Sequence, residues 1–269
     1  MDSLQNKTAL VTGASQGIGP FIARALSAEG ARVVLTARSI DKLEGVVRSI
    51  RERGGEAIAV QADITDDTAR ANLVKRARIE FERIDVLVNN AGVDDIVHYE
   101  WQKPEEIRSL LEVNLLAPLL LTRQILPDML ERGDGHIVNI ASLAGRTGMP
   151  YAVAYAASKA GLAQWSLSLR AELAERGVRV SLVSPGFVTD AGLFARRDKQ
   201  APSGLGTSRP TQVARAVAKV LETNAAEIVV NPRPARLLMG LEAVAPQLAT
   251  RVAGRLGLVE FLRSLARTN

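Results

Sequence analysis

Tyr155 and Lys159 stand four residues apart in a run, Val153 to Leu173, whose apolar residues recur at helical spacing, so the two side chains share one helix face. An ammonium beside a phenol favours phenolate. Because an unperturbed phenol titrates at about 10, a neighbouring positive charge moves it toward working pH and makes Tyr155 a usable acid/base. A surface tyrosine beside a solvated lysine is the alternative. Near the start, Thr12-Gly13-Ala14-Ser15-Gln16-Gly17-Ile18-Gly19 closes one apolar run and opens a helical pattern of Ile18, Ile22, Ala25 and Leu26. Glycines at a strand-to-helix turn let backbone N–H groups approach a pyrophosphate, and the helix N-terminus adds partial positive charge. A plain turn is the other reading. Pro20 costs little in a first helical turn. Ser142 follows the run HIVNI at 136–140, so it belongs at the carboxyl end of a strand, where a hydroxyl can hold a carbonyl or cap a turn. Asn114 interrupts the apolar helical run EVNLLAPLLL, and a buried amide there must find partners.

These pieces occur in a definite order: TGASQGIG at 12–19, NNAG at 89–92, Ser142, YAASK at 155–159 and SPG at 184–186, with thirteen residues from Ser142 to Tyr155. From about residue 7 to 230 the chain thereby resembles the short-chain dehydrogenase/reductase family. The resemblance implies an oxidoreductase that moves a hydride between a nicotinamide and a ketone, aldehyde or secondary alcohol. In that reading Tyr155 is the acid/base and Ser142 orients the carbonyl. Lys159 binds the nicotinamide ribose and, with the oxidised nicotinamide, holds Tyr155 acidic, while Asn114 holds a water that links the lysine to solvent. The implied cofactor contacts begin with Gly13, Ser15, Gln16, Gly17, Ile18 and Gly19 around the pyrophosphate. Asp63 matches the residue beside the adenine, and Asn90, Ala91 and Gly92 flank the adenosine and the central part of the cofactor. Tyr155 and Lys159 lie at the nicotinamide ribose, and Pro185 and Gly186 under the carboxamide, with Val188 and Thr189 continuing toward the phosphates. Capping of a neighbouring helix is the alternative for Asp63 and for the asparagine amide.

The end of the second strand, VVLTARS, selects the cofactor. An NAD-preferring member presents a carboxylate there; this chain has Ala37 and then Arg38, whose guanidinium suits a 2′-phosphate, with Ser15 adding a hydroxyl. NADP is the expected cofactor, and an arginine exposed without a ligand is the alternative. Tyr151, Phe187, Leu193 and Phe194 flank these motifs and either line an apolar substrate pocket or belong to the core. A non-catalytic NADP(H)-binding sensor or scaffold is the competing function class, and an epimerase or dehydratase a third. With no cysteine and only His98 and His136, no metal site is expected.

Positioning these groups falls to short apolar runs at 8–11, 32–36, 57–61, 85–89, 136–140, 179–183 and 227–230, separated by amphipathic stretches such as Leu43, Val46, Val47, Ile50 and Ile107, Leu110, Leu111, Leu115. Strands alternating with helices predict an α/β fold, a doubly wound parallel sheet of Rossmann-like type. One domain is expected over residues 1–230, with a helical C-terminal extension over 231–269 packed on it or on a second subunit. In that extension Leu237, Leu241, Val244, Leu248 and Val252 form a stripe broken at Pro246 and Gly257. A flap over the pocket and attachment to an anionic membrane are the alternatives. Six arginines against two glutamates place most of the +5 net charge there, and a nucleic-acid partner is not expected because Phe261 is its single aromatic. The stretch 190–209 reads as a mobile loop. The longest apolar run, Leu115 to Leu121, is too short to span a bilayer, and no secretory signal is recognisable, so a cytoplasmic homo-oligomer (dimer or tetramer) acting on a small carbonyl or alcohol is expected.

Overall fold

The computed structural model describes residues 4–197, 199, 201, 206–231 and 233–267. Seven strands form one all-parallel sheet in the order β3-β2-β1-β4-β5-β6-β7: β1 Thr8–Thr12, β2 Arg32–Ala37, β3 Ala57–Gln61, β4 Val86–Asn89, β5 Gly135–Ile140, β6 Val178–Pro185 and β7 Glu227–Val230. Period-2 alternation divides their side chains between two faces. Leu10, in register with Val34 and Leu87, points to one face and packs under α3 (Asp67–Phe81), α5 (Ala117–Arg132) and α6 (Val153–Glu172). Ala9 and Val11 point to the other, against α1 (Gly19–Ala28), α2 (Ile40–Arg51) and α7 (Pro210–Thr223). Both faces are covered, which is why the strands read as unbroken apolar runs.

The chain winds outward from β1 to β3 and then resumes on the other side at β4, so the connections leaving the carboxyl ends of β1 and β4 part in opposite directions and leave a crevice. Between β4 and β5, α4 (Pro104–Leu111), a π-helical turn (Glu112–Leu116) and α5 run on as one helix, Pro104–Arg132. The sequence expectation is corrected here: this 29-residue helix is long and apolar enough, by length and composition, to cross a membrane. An unbroken-run count stops at Pro118, which lies just past the π-helical turn inside this continuous helix. The helix is a crossover between neighbouring parallel strands, with Leu121, Ile125 and Met129 buried against the sheet.

Beyond β7 follow α8 (Arg233–Val244), α9 (Pro246–Arg255) and α10 (Leu258–Leu265), with breaks at Pro246 and Gly257 as the sequence predicts. The buried residues differ from the predicted stripe. Val244 is 86% exposed and Leu248 49%, whereas Ala249, Ala253, Leu258 and Leu262 pack with Ile96 and Ala152. The side chain of Leu237 lies outside the described residues. Of the stretch 190–209, residues 198, 200 and 202–205 also lie outside them; the rest contains a single 3₁₀ turn, Phe194–Arg196, and returns to β6 through paired bonds between Thr189 or Phe187 and Ser208.

Candidate active site

A cavity of about 870 Å³ runs along the carboxyl edge of the sheet. Its floor is the turn after β1. Gly13 and Gly17 have φ of +64° and +66°, a conformation that side chains resist. A Cβ on Gly13 would also stand 2.7 Å from Ala91 Cα, so the ends of β1 and β4 can approach only because glycine is there. Asn90 fastens that approach, its Nδ2 donating to Thr12 O at 2.9 Å and its backbone N–H to Thr12 Oγ1 at 3.0 Å.

At one end the wall contains Arg38, Lys42 and Asp63. The Arg38 side chain makes no hydrogen bond or ion pair among the described residues. The Asp63 carboxylate accepts from Thr65 N at 3.0 Å and Oγ1 at 2.7 Å. Partial burial pushes this carboxyl up, but the Thr65 bonds and the Arg38 charge outweigh it and hold it below the usual 3.8. Capping α3 falls to Asp66, which accepts from Ala69 N.

At the other end Ser142, Tyr155 and Lys159 meet. Ser142 Oγ accepts from Ala144 N at 3.1 Å and hydrogen-bonds the Tyr155 phenol. Both sequence readings of Ser142, as a cap and as a group facing the cavity, thus describe one geometry. Gly145 allows the contact with α6, since a Cβ there would lie 2.6 Å from Ala160 N. Lys159 is buried with Nζ donating to Ile140 O at 2.9 Å. Asn114 stands just behind the wall in the π-helical turn, a feature frequent at functional sites. Its Oδ1 accepts from Val93 N at 2.9 Å, while Nδ2 donates to Val93 O at 2.8 Å and Ser158 Oγ at 3.0 Å. A Cβ on Gly92 would come 3.2 Å from Asn114 Oδ1 and 3.5 Å from Lys159 Nζ, so glycine keeps this passage open.

The protein's own charges, without the oxidised nicotinamide, do not bring the Tyr155 phenol down. Burial pushes the Tyr155 phenol up to about 12, and the Ser142 bond offsets this only in part; Asp94 raises it further and Arg197 lowers it. Desolvation opposes the phenolate more strongly than nearby cations favour it. Burial also brings Lys159 down to about 8. The phenol is therefore a proton donor throughout the neutral range.

The remaining predicted residues divide by position. Ser15, Gln16, Ile18, Ala91, Pro185, Gly186 and Val188 line the cavity, as do Phe187, Leu193 and Phe194. Gly19 packs beneath the turn against Ala14, and Thr189 is occupied with Ser208. Tyr151, at φ +63°, lies outside the wall, its hydroxyl accepting from Arg263 Nε at 2.8 Å. Sequence reasoning missed Lys42, Met149, Met239, Leu256, Leu258 and the ion pair of Asp94 with Arg197 in this wall. Lys42, a second cation close in sequence to Arg38 and in the first turn of α2, was the one with a readable signal.

Residues 7–201 match the family model described as short chain dehydrogenase. The chain is 40% identical over 266 residues to ketoacyl reductase HetN of a Nostoc species, covering 97% of this chain and 93% of that one. A 3-oxoacyl-acyl-carrier-protein reductase of a Synechocystis species is 42% identical over 189 residues, covering 70% and 76%. Among solved structures, a metagenomic short-chain oxidoreductase in complex with NADP superimposes with a TM-score of 0.74 at 40% identity, covering 86% of this chain and 99% of that one. An actinorhodin polyketide ketoreductase variant with NADPH gives 0.78 at 32%, covering 87% and 99%.

Proposed function

This chain belongs to the short-chain dehydrogenase family, and we propose that it is an NADPH-dependent oxidoreductase that reduces a ketone carbonyl, with Tyr155 as proton donor. One observation carries the assignment: Ser142, Tyr155 and Lys159 converge at the carboxyl ends of β5 and β6 in a cavity that extends without a break to Arg38. NADPH, when bound, supplies the hydride.

The residues fit that cofactor. The crowded glycine turn and the start of α1 suit a pyrophosphate; Arg38 and Lys42 offer two cations to a 2′-phosphate where a carboxylate would repel it. Asp63 would lie at the adenosine, Lys159 at the nicotinamide ribose, and Pro185 and Gly186 beneath the carboxamide. Ser142 accepts from Ala144 N, which leaves its one O–H to serve the Tyr155 phenol or an incoming carbonyl oxygen. Tyr155 donates the proton to that oxygen as negative charge develops on it, a transfer that typically contributes 10²- to 10⁴-fold. Lys159, fixed on Ile140 O, places positive charge beside the reacting groups. Asn114 holds the Val93 backbone that borders them.

The relatives named as ketoacyl reductases support a 3-oxoacyl group as the substrate class. Apolar Met149, Phe187, Leu193, Phe194 and Leu258 around the catalytic end suit an acyl chain. Exposed Leu111, Leu116 and Val153, on adjacent helices, favour assembly of the chain with itself, and we place the enzyme in the cytoplasm. A sensor that binds NADP(H) without turnover has no observation in its favour. Incubation with NADPH and a panel of ketones that includes 3-oxoacyl thioesters, followed at the NADPH absorbance, tests the reaction. Consumption of NADPH with a 3-oxoacyl thioester is the expected result, and NADPH binding without consumption for any carbonyl would overturn it.

A further inference from the structure

Arg197 Nη1 lies 2.5 Å from Asp94 Oδ2, joining two segments 103 residues apart in the wall of the cavity. Asp94 follows Val93, whose backbone N–H and C=O are both held by Asn114, so its carboxylate rises from a fixed base. Arg197 follows the 3₁₀ turn Phe194–Arg196, in the segment that leaves β6, passes Gly17 at Gly192 and presents Leu193 and Phe194 to the cavity. The side chains are 18% and 22% exposed, less screened than a surface pair. Both residues share the wall of one cavity with Tyr155, where their charges act on its hydroxyl in opposite senses.

Resting on the reductase reading above, we propose that Asp94 and Arg197 are a positioning pair, which fastens the segment after β6 across the catalytic end and presents Tyr155 with two charges that oppose each other. The groups facing the phenol come from several elements: Ser142 from the turn after β5, Lys159 one turn along α6, Asp94 from the loop after β4 and Arg197 from the segment after β6. The C-terminal helices share with Tyr155 an apolar cluster that includes Leu241, Leu258 and Leu262, and their nearby Arg263 is engaged by the Tyr151 hydroxyl. Removing either partner leaves one bare charge, and the two bare charges act on the phenol in opposite directions. Asp94→Asn leaves a cation that favours phenolate; Arg197→Gln leaves a carboxylate that disfavours it.

The test is the pH dependence of kcat/KM for oxidation of the alcohol product with saturating NADP+, a direction that needs the phenolate and in which the positive nicotinamide would bring the phenol down from the value of about 12 in the protein alone. The rising limb should move to lower pH in Asp94→Asn and to higher pH in Arg197→Gln, each by about one unit. In the double variant it should return near its original place while KM stays raised, because the segment is then unfastened but no charge is bare. Arg197→Lys should keep the original limb. A pair that is only structural would shift both single variants alike or neither, and that result overturns the proposal while leaving the reductase reading intact. Ultraviolet titration of Tyr155 in a Tyr99→Phe/Tyr151→Phe background makes the same comparison without turnover. There the phenol should titrate lower with Asp94→Asn than with Arg197→Gln, and equal values would refute the pairing even if no carbonyl is reduced.

Discussion

Lys159 Nζ donates to the carbonyl oxygen of Ile140, the last residue of β5, and so ties α6 to the strand that leads two residues later to Ser142. Strand, turn and helix are thereby in register before any ligand arrives. The arrangement costs stability. Burial brings the ammonium from its ordinary 10.5 to about 8, a penalty of roughly 3 kcal/mol that applies in full below pH 8 and disappears as pH rises to 10.5, because only the unfolded chain binds the proton in that window. Lys159→Met should therefore abolish turnover and weaken NADPH binding, yet melt a few degrees higher at pH 7, even after loss of the bond to Ile140. The advantage should shrink at pH 10. A variant that melts lower at pH 7 would show that the hydrogen bond outweighs desolvation.

Tyr155→Phe keeps the ring and removes the proton donor. Turnover should fall at least 10²-fold while NADPH affinity, measured by calorimetry, changes little. With the phenol pushed up to about 12, the unaltered enzyme should show no loss of the reductive reaction from this group between pH 6 and 10. Residual activity above about a tenth would remove Tyr155 from the acid/base role.

Arg38 is exposed at the cavity rim with its guanidinium uncommitted, and the position before it is Ala37 rather than a carboxylate. NADPH should bind at least tenfold tighter than NADH, since a bidentate guanidinium–phosphate contact is worth more than the ~1.4 kcal/mol that this ratio requires. Arg38→Ala should erase most of the preference, with the remainder removed by Lys42→Ala. Equal affinities for the two cofactors in the unaltered protein would contradict the assignment of this end of the cavity.

The sheet was readable because each strand is a short apolar run between turn residues, and burial on both faces leaves no alternation to confuse with a helix. The C-terminal breaks were readable for an equally local reason, a proline and a glycine with φ of +77°. What escaped is non-local. Nothing in the spacing of Asp94 and Arg197 announces a contact across 103 residues, and nothing near Gly145 shows that α6 will pass within 2.6 Å of its absent side chain. The sequence shows that the Asn114 amide must find partners but not which ones. Its turn widens to a π-helix where the amide engages the Val93 backbone, a partner no local pattern supplies. The depth at which Tyr155 is buried escaped too, because sequence names the neighbouring cation but not the desolvation that opposes it in the protein alone.

His136 makes the protein acid-labile in a predictable window. It is fully buried in β5, where Ser181 Oγ, 2.9 Å from Nε2, spends its own proton on Ala225 O and so accepts from the ring. Burial, reinforced by Arg179, holds this imidazole down at about 3, against 6.5 for an ordinary histidine. Between those values only the unfolded chain binds the proton, so stability is intact above pH 6.5 and is lost progressively as pH falls toward 3, by about 2 kcal/mol at pH 5. Denaturant midpoints from pH 7 to 4 should show that slope, and His136→Gln should flatten it. Parallel slopes in the two proteins would place the acid sensitivity elsewhere.

The C-terminal helices should matter to the body they cover. Leu258 and Leu262 are buried against Ile96 and Ala152, Leu258 also lines the cavity, and Arg267 binds Asp95 at 3.3 Å and Glu106 at 2.9 Å. Truncation after Val230 removes that cover and uncovers Met149, Tyr151 and Phe187, which belong to the same cluster. The shortened protein should melt lower or change its sedimenting mass. The milder Leu262→Ala should cost about 2–5 kcal/mol through the cavity it leaves. Because α8–α10 contribute most of the net positive charge, attachment to anionic vesicles would be released by salt, whereas apolar packing would not. An unchanged melting point and mass after truncation, with vesicle binding lost in high salt, would assign these helices to a membrane surface instead.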